Sequence, residues 1–174
     1  YNTYRFYAIP LLTILIAASV SRRCTVSQSG ATIDASIKTY YVGPFLNNAD
    51  NSLPNLDQQL AEDLRNKIRL TSNLTADDTN PHIEFKGTLV DFRIPSEAPN
   101  ANNRVALNRL TITLAIDYIN NVTEDDSWKR NFSFFFDYPA TTDFSSVEED
   151  AISTISNQLM EDICNGVIAL ANEN

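Results

Sequence analysis

Cys24 is the residue whose surroundings point most directly to a chemical reaction. It follows an apolar run at residues 7–20 with Arg5 ahead of it. That run is shorter than the roughly 20 apolar residues of a membrane-spanning helix, and a positive charge before it is typical of an export signal. A cysteine at this distance is where a lipoprotein signal is cleaved and the thiol receives acyl chains such as palmitate. Residues 21–23, Ser-Arg-Arg, differ from the small residues usual at that place. An ordinary secretory signal or a short anchor is therefore the alternative, and both interpretations place the chain outside the cytoplasm.

Residues suited to enzyme catalysis are few. The only histidine, His82, follows Pro81 at the start of an alternating segment, a setting that favours a strand-edge histidine over a general base. The sequence has no GxSxG, HExxH, GxGxxG or phosphate-binding loop, and it contains 4 glycines. Its 2 cysteines provide neither a disulfide framework nor a four-ligand zinc site. We therefore predict a protein that is not an enzyme and that carries no metal or cofactor, apart from the suspected covalent lipid on Cys24.

The charge balance limits the ligands that the chain can bind. Its 13 Lys and Arg residues against 22 Asp and Glu residues give a formal net charge of −9. Nucleic-acid binding depends on clustered basic residues that neutralise phosphates, so we expect no nucleic-acid partner. Any anionic ligand would have to meet a local group of basic side chains, because the average field of the protein repels it.

The hydrophobic pattern predicts the elements that must position these residues. Apolar residues recur every fourth position in residues 54–70, which predicts an amphipathic helix, and Asn55 and Gln58 have the spacing of a capping box at its start. Three later segments alternate apolar with polar residues, as strands do. The predicted strands are 35–45, 83–90, 109–118 and 128–138, and the predicted helices are 54–70 and 145–170.

The order strand, helix, three strands, helix predicts an α+β fold. The first helix would join the first two strands as a right-handed parallel crossover, and the last three strands would form an antiparallel meander. We predict a two-layer sandwich in which two helices pack on one face of a four-stranded mixed sheet. The other face would then carry polar side chains: Arg109, Thr111, Thr113, Lys129, Asn131 and Ser133. On this interpretation residues 1–23 are the export segment, 24–32 a flexible tether and 33–174 a single domain.

Four stretches resemble one known family. They are "SGATI" shortly after Cys24, "ALNRLTITLAIDYIN" at 106–120, "FFFDYPATTDFSSVEEDAI" at 134–152 and the closing "QLMEDICNGVIALAN". Together they resemble the LptE family of outer-membrane lipoproteins as it occurs in Bacteroidetes-type bacteria. The resemblance implies a lipid anchor on Cys24 and a non-enzymatic subunit of the lipopolysaccharide translocon. Such a subunit plugs the lumen of the β-barrel protein LptD, helps it assemble and assists delivery of lipopolysaccharide to the outer leaflet.

Two groups of residues are candidates for these contacts. The lumen of a membrane barrel is polar, so the candidate barrel-facing residues are polar ones: Asn108, Thr111, Thr113, Lys129 and Asn131. Arg93, Arg104 and Arg109 flank one loop and could contact lipopolysaccharide, unless they pair with carboxylates such as Asp91. The alternative function is a stand-alone periplasmic or surface lipoprotein that binds a glycan or lipid.

Overall fold

The computed structural model describes residues 33–94 and 106–171. The two helices and four of the strands in it are the elements that the hydrophobic pattern predicts, and the α+β class is confirmed. A 3₁₀ turn, Glu124–Asp126, lies before the last strand. The predicted export segment 1–23, the tether 24–32 and Cys24 lie outside the described residues. In chain order the elements are β1 (Thr39–Val42), β2 (Leu46–Asn47), α1 (Leu56–Thr71), β3 (Thr75–Ala76), β4 (Ile83–Arg93), β5 (Leu107–Asn120), β6 (Trp128–Pro139) and α2 (Phe144–Ala171).

The sheet has six strands, so the predicted count of four is wrong. The strand order is β3-β1-β4-β5-β6, and β2 also pairs with β4. β1 pairs in parallel with β3 and β4, and β2 pairs in parallel with β4. The β4–β5 and β5–β6 pairs are antiparallel, as predicted. The additional strands β2 and β3 have 2 residues each, too few to show the alternation by which a strand is recognised in a sequence.

One face of the sheet packs against both helices and forms the core. On β5 the inward residues Leu110, Ile112 and Leu114 are fully buried and alternate with half-buried outward residues, the pattern of a strand with one covered face. Burying a side chain of this size contributes about 1.5–3 kcal/mol, so the apolar stripes of the helices hold the two layers together. These stripes are Leu56, Leu60, Leu64 and Ile68 on α1 and Ile152, Ile155, Leu159 and Ile163 on α2.

Two polar contacts join the helices to each other. The buried Ser156 of α2 donates a hydrogen bond of 2.5 Å to Asp63 Oδ2 of α1. Lys67 of α1 forms an ion pair with Glu161 of α2. A hydrogen bond to a charged group contributes more than a neutral one, about 1.5–3 kcal/mol, so the Ser156–Asp63 contact fixes how the helices lie side by side.

The start of α1 differs from the predicted capping box, which is wrong. Asn55 has φ 60° and ψ 14°, and its side chain makes no capping hydrogen bond. A side-chain cap requires an extended backbone at this residue, whereas Asn55 is in the left-handed region that asparagine tolerates. Its carbonyl instead accepts a hydrogen bond of 3.0 Å from the Gln59 N–H.

Gly87 of β4 leaves room for an aromatic ring. A Cβ atom built on Gly87 would lie 2.6 Å from two ring atoms of Phe45, and Phe45 is buried. Gly87 is paired with Ile116, an inward residue of β5. The ring therefore occupies the space that a side chain would fill, and it fastens the bend between β1 and β2 onto β4.

Asn120 organises the connection between β5 and β6. It is buried, and its Oδ1 accepts hydrogen bonds of 2.9 Å from the N–H groups of Val122 and Thr123. Its own N–H donates to Ser127 Oγ at 2.9 Å. Asparagine favours turns for this reason, because its side chain binds backbone groups just ahead of it.

Candidate functional site

The outward side chains of β4, β5 and β6 form a polar surface opposite the helices. None of them is buried. We call this surface the open face and define it by the residues that the strand register places there. They are Glu84, Lys86, Thr88, Asp91 and Arg93 of β4; Arg109, Thr111, Thr113, Ala115, Asp117 and Ile119 of β5; and Lys129, Asn131, Ser133, Phe135 and Asp137 of β6.

Four of the five candidate barrel-facing residues lie together on the open face. They are Thr111, Thr113, Lys129 and Asn131. The Thr113 hydroxyl donates a hydrogen bond of 2.9 Å to Ser133 Oγ on the neighbouring strand. Asn108 lies elsewhere, because it is paired with the buried Tyr138 and so belongs to the helix side of the sheet.

A bidentate ion pair of the open face joins β5 to β6. Arg109 donates two hydrogen bonds to Asp137, of 2.6 and 2.8 Å, one to each carboxylate oxygen. Its guanidinium carbon lies 3.8 Å from the centroid of the Phe135 ring. The Arg109 hydrogen bond holds the pKa of Asp137 below its ordinary value. The two parallel hydrogen bonds of a bidentate pair are stronger than neutral ones and also restrict its geometry. The pair therefore fixes the position of both side chains.

The structure brings together two members of the predicted arginine group. Arg93 is paired with Thr111, and Arg109 precedes Thr111 by two residues on the same face, so both arginines lie at one end of the open face. Each contacts a carboxylate: Arg93 lies 3.2 Å from Asp91 Oδ2, and Arg109 binds Asp137. Arg104 lies outside the described residues. The carboxylate pairing left open in the sequence is therefore present at both described arginines.

A groove of about 850 Å³ lies at the other end of the open face. Asp117 is paired with Lys86 on one side and Lys129 on the other, and Lys129 Nζ lies 2.8 Å from Asp117 Oδ2. Apolar atoms from the β1–β2 corner, including those of Tyr41 and Leu46, complete the lining. The groove combines cationic, hydrogen-bonding and apolar groups, which are what a sugar or a phosphorylated sugar would contact.

The sequence-based candidates include Lys129 and Asn131 of this groove, but not its residues from β1, β2 and β4. Lys86 is outward in the alternating pattern that predicts β4, and that signal was sufficient to find it. Tyr41 and Leu46 line the groove because β1 and β2 lie beside β4. No local pattern in the sequence indicates that neighbourhood.

Three titratable residues outside the open face, His82, Tyr118 and Cys164, lie in structural settings. The Lys38 N–H donates to His82 Nδ1 at 3.1 Å, and the His82 N–H donates to Thr39 Oγ1 at 2.9 Å, so His82 ties the start of β4 to the start of β1. Burial raises the pKa of Cys164 to about 11 and that of Tyr118 to about 12. Both groups are thus protonated at neutral pH, and Cys164 lacks the thiolate character of a reactive cysteine.

Two further properties of the described residues concern metals and membranes. Within residues 33–94 and 106–171, no group of three or more His, Cys, Asp or Glu side chains could hold a metal ion. The same ranges contain no helix long and apolar enough to cross a bilayer.

Comparison with known proteins identifies both a family and a shared fold. A family model described as "LptE: Lipopolysaccharide-assembly" matches residues 37–166. A hypothetical protein from Chlamydia trachomatis has a similar structure, with a TM-score of 0.56 and 7% identity over 79% of this chain and 99% of that one. Uncharacterized lipoprotein B from Nitrosomonas europaea gives a TM-score of 0.54 and 12% identity over 78% of this chain and 85% of that one. At these identities the two structures show the fold alone, and no curated protein matches the sequence.

Proposed function

The chain belongs to the LptE family of lipopolysaccharide-assembly proteins, and from this premise we propose that it is a non-enzymatic lipoprotein subunit of an outer-membrane lipopolysaccharide translocon. In this proposal the domain sits in the lumen of an LptD-like β-barrel and helps that barrel to assemble. It also assists delivery of lipopolysaccharide to the outer leaflet. The observation that carries the proposal is the family match, which spans residues 37–166 and so includes both helices up to Gly166 and the whole sheet.

The open face suits a polar barrel wall. It carries four basic and four acidic side chains, whereas the whole chain has a net charge of −9. Moving a charged group out of water costs the least free energy when an opposite charge already pairs with it. On the open face, Asp137 pairs with Arg109 and Asp117 pairs with Lys129. The lumen of a membrane barrel is polar. We therefore place the barrel contact on Thr111, Thr113, Lys129 and Asn131.

Contact with lipopolysaccharide would use the basic residues at the two ends of the open face. At one end Arg93 and Arg109 would exchange their carboxylate partners for phosphates, and we propose Arg104 as a further phosphate contact. At the other end, Lys86 and Lys129 share Asp117 in the groove. Replacing Arg93, Arg104 and Arg109 with glutamine should lower the affinity of the purified protein for lipopolysaccharide and flatten its salt dependence. Unchanged binding would assign the arginines a structural role.

The lipid anchor is proposed for Cys24. One acyl chain gives only marginal membrane binding, at about 0.8 kcal/mol per buried CH₂, so a stable anchor needs a second or third chain. The intact mass of the protein from native membranes should exceed that of the chain beginning at Cys24 by the mass of these acyl chains. A Cys24→Ser variant should lose the added mass. An unmodified wild-type mass would instead support an ordinary secretory signal.

Barrel docking is tested by co-purification. The chain is co-expressed with the tagged LptD-like barrel of the same genome, and the ratio of the two proteins recovered is measured. Thr113→Arg adds a long cation at the centre of the open face, and we expect it to lower recovery at least tenfold. The matched control is Ser153→Arg, because Ser153 is exposed on α2 and points away from the proposed contact. Circular dichroism melting shows whether both variants are folded.

Two outcomes would contradict the proposal at different levels. Equal recovery of the two arginine variants would mean that docking does not use the open face. Failure to recover the wild-type chain with the barrel would remove the translocon role and favour a stand-alone lipoprotein that binds a glycan or lipid. Deletion distinguishes these functions too, because only loss of a translocon subunit should sensitise cells to large hydrophobic antibiotics.

A further inference from the structure

β6 forms one edge of the sheet. It pairs with β5 along its whole length of 12 residues, and no other strand in the described part of the chain lies along its outer side. The unpaired backbone groups of an edge strand are a template for another strand. A long edge of this kind therefore needs a cover, a repulsive charge pattern or a partner.

The core layer is incomplete at this edge. On β5 the inward residues Leu110, Ile112 and Leu114 are fully buried. Their direct neighbours on β6 are Phe136, Phe134 and Phe132 in the same order. These three aromatic rings contact the core but are only half-buried. Apolar surface on the helix side of the sheet thus remains in water at the point where the sheet stops, and a continuing strand would cover it.

We propose that β6 is a self-association site through which two copies of this chain pair antiparallel about Ser133, so that their sheets join into one. In this register Lys129 lies opposite the second copy's Asp137 on the open-face side. On the helix side Phe132 lies opposite the second copy's Phe134, and Arg130 lies opposite the second copy's Phe136. Each pair occurs twice by symmetry, and opposite charges, aromatic pairs and cation–aromatic pairs all stabilise neighbouring strands.

The charges of β6 favour this register, because Lys129 and Asp137, which pair with Asp117 and Arg109 within each copy, each gain a second opposite charge. A slip of two residues would place Lys129 opposite Phe135 or Pro139 and would lose both charge pairs. Parallel pairing would place Lys129 beside Lys129 and Asp137 beside Asp137. A closed barrel offers no free strand edge, because all of its strands are paired. The second copy is therefore the partner whose chemistry fits. The inference concerns the chain free of any barrel and does not depend on the proposed function.

Exchanging the two charges provides the test. The full chain is purified in detergent micelles, and its self-association is measured by sedimentation equilibrium over a concentration series. Lys129→Asp places Asp opposite Asp in both symmetric pairs, and Asp137→Lys places Lys opposite Lys. We expect each variant alone to raise the dimer dissociation constant about tenfold or more. An equimolar mixture of the two variants should restore the dimer, because each charge then meets its opposite.

One control and one further variant complete the test. Lys86→Asp changes the same charge on the same face of the interior strand β4 and should leave self-association unchanged. Ser133→Lys places two lysines opposite each other on the symmetry axis without removing the Arg109–Asp137 pair, and it should also weaken the dimer. A wild-type chain that is monomeric at all concentrations would overturn the proposal. It would also be overturned if the mixed variants stayed monomeric, or if Lys86→Asp weakened association as much as Lys129→Asp.

Discussion

Replacing Gly87 with alanine should destabilise the domain through a single steric contact. The added Cβ would meet ring atoms of Phe45 at 2.6 to 2.7 Å, whereas carbon atoms in contact lie about 3.5–4.0 Å apart. The buried ring would have to move by about 1 Å in a close-packed interior. Overpacking of this kind costs about 1–3 kcal/mol. For a chain of this length each kcal/mol lowers Tm by about 2–4 °C, so we expect a decrease of about 2–12 °C.

Gly43 is the matched control for this substitution. A Cβ on Gly43 would lie 3.6 Å from the Phe85 carbonyl oxygen and 3.6 Å from the Tyr41 ring, which is ordinary contact. Neither Gly43 nor Gly87 has a positive φ. Neither position therefore requires the left-handed backbone that favours glycine, and the two positions differ in the space available for a Cβ atom. Urea unfolding should show a change in the free energy of unfolding of at most about 0.5 kcal/mol for Gly43→Ala.

A double-mutant cycle tests the cause. Phe45→Leu removes the ring and leaves a cavity, and the Cβ of Gly87→Ala would partly fill it. The free energy of unfolding of the double variant should therefore exceed the additive expectation by about 1 kcal/mol or more. The steric account would be refuted if the losses in free energy of unfolding were strictly additive, or if Gly43→Ala and Gly87→Ala lost equal amounts.

Three further outcomes follow from contacts elsewhere in the domain. Ser156→Ala should lower the free energy of unfolding by about 1.5–3 kcal/mol, because it leaves a carboxylate of α1 without its donor, whereas Ser153→Ala on the exposed side of α2 should change it by less than about 0.5 kcal/mol. Arg109→Gln should destabilise the domain at neutral pH. The folded-state pKa of Asp137 is depressed, so the difference in free energy of unfolding between the wild type and Arg109→Gln should disappear as pH falls from the ordinary value of 3.8 through the lower folded-state pKa. Unfolding curves at neutral pH and well below pH 3.8 measure this difference. Cys164, whose pKa burial raises to about 11, should react with a maleimide at pH 8 at least tenfold more slowly than a thiol of ordinary pKa near 8.5.

The long elements could be predicted because their own residues define them. Helix α1 and strands β4, β5 and β6 lie within a few residues of the predicted bounds, since each has a periodic apolar face of ten or so residues. The family resemblance rested on residues 29–33 and on stretches of β5, β6 and α2, and the family is confirmed by the match over residues 37–166.

The features that the sequence did not predict depend on residues far apart in the chain. β2 is a strand because Leu46 lies beside Thr88, and β3 is one because Thr75 lies beside Thr39. Asn108 was named as a candidate barrel-facing residue, although its alternation with Arg109 already indicates the helix side of the sheet. The groove at Lys86 depends on where β1 and β2 lie next to β4, and a local pattern contains no such information.

The position of β1 within the sheet has a kinetic consequence. Tyr40 of β1 pairs with Ile83 of β4, on the far side of α1, and with Ala76 of β3. A chain that emerges from its N-terminus at about 5–20 residues per second therefore presents β1 a few seconds before its neighbours exist. The β4–β5–β6 meander joins strands that are consecutive in the sequence, and contacts between elements close in the sequence form first. We therefore expect the order of assembly to be opposite to the order of synthesis, with the C-terminal meander as the folding nucleus and the N-terminal strand joining last. Truncation before β6 should leave a chain that binds chaperones instead of folding.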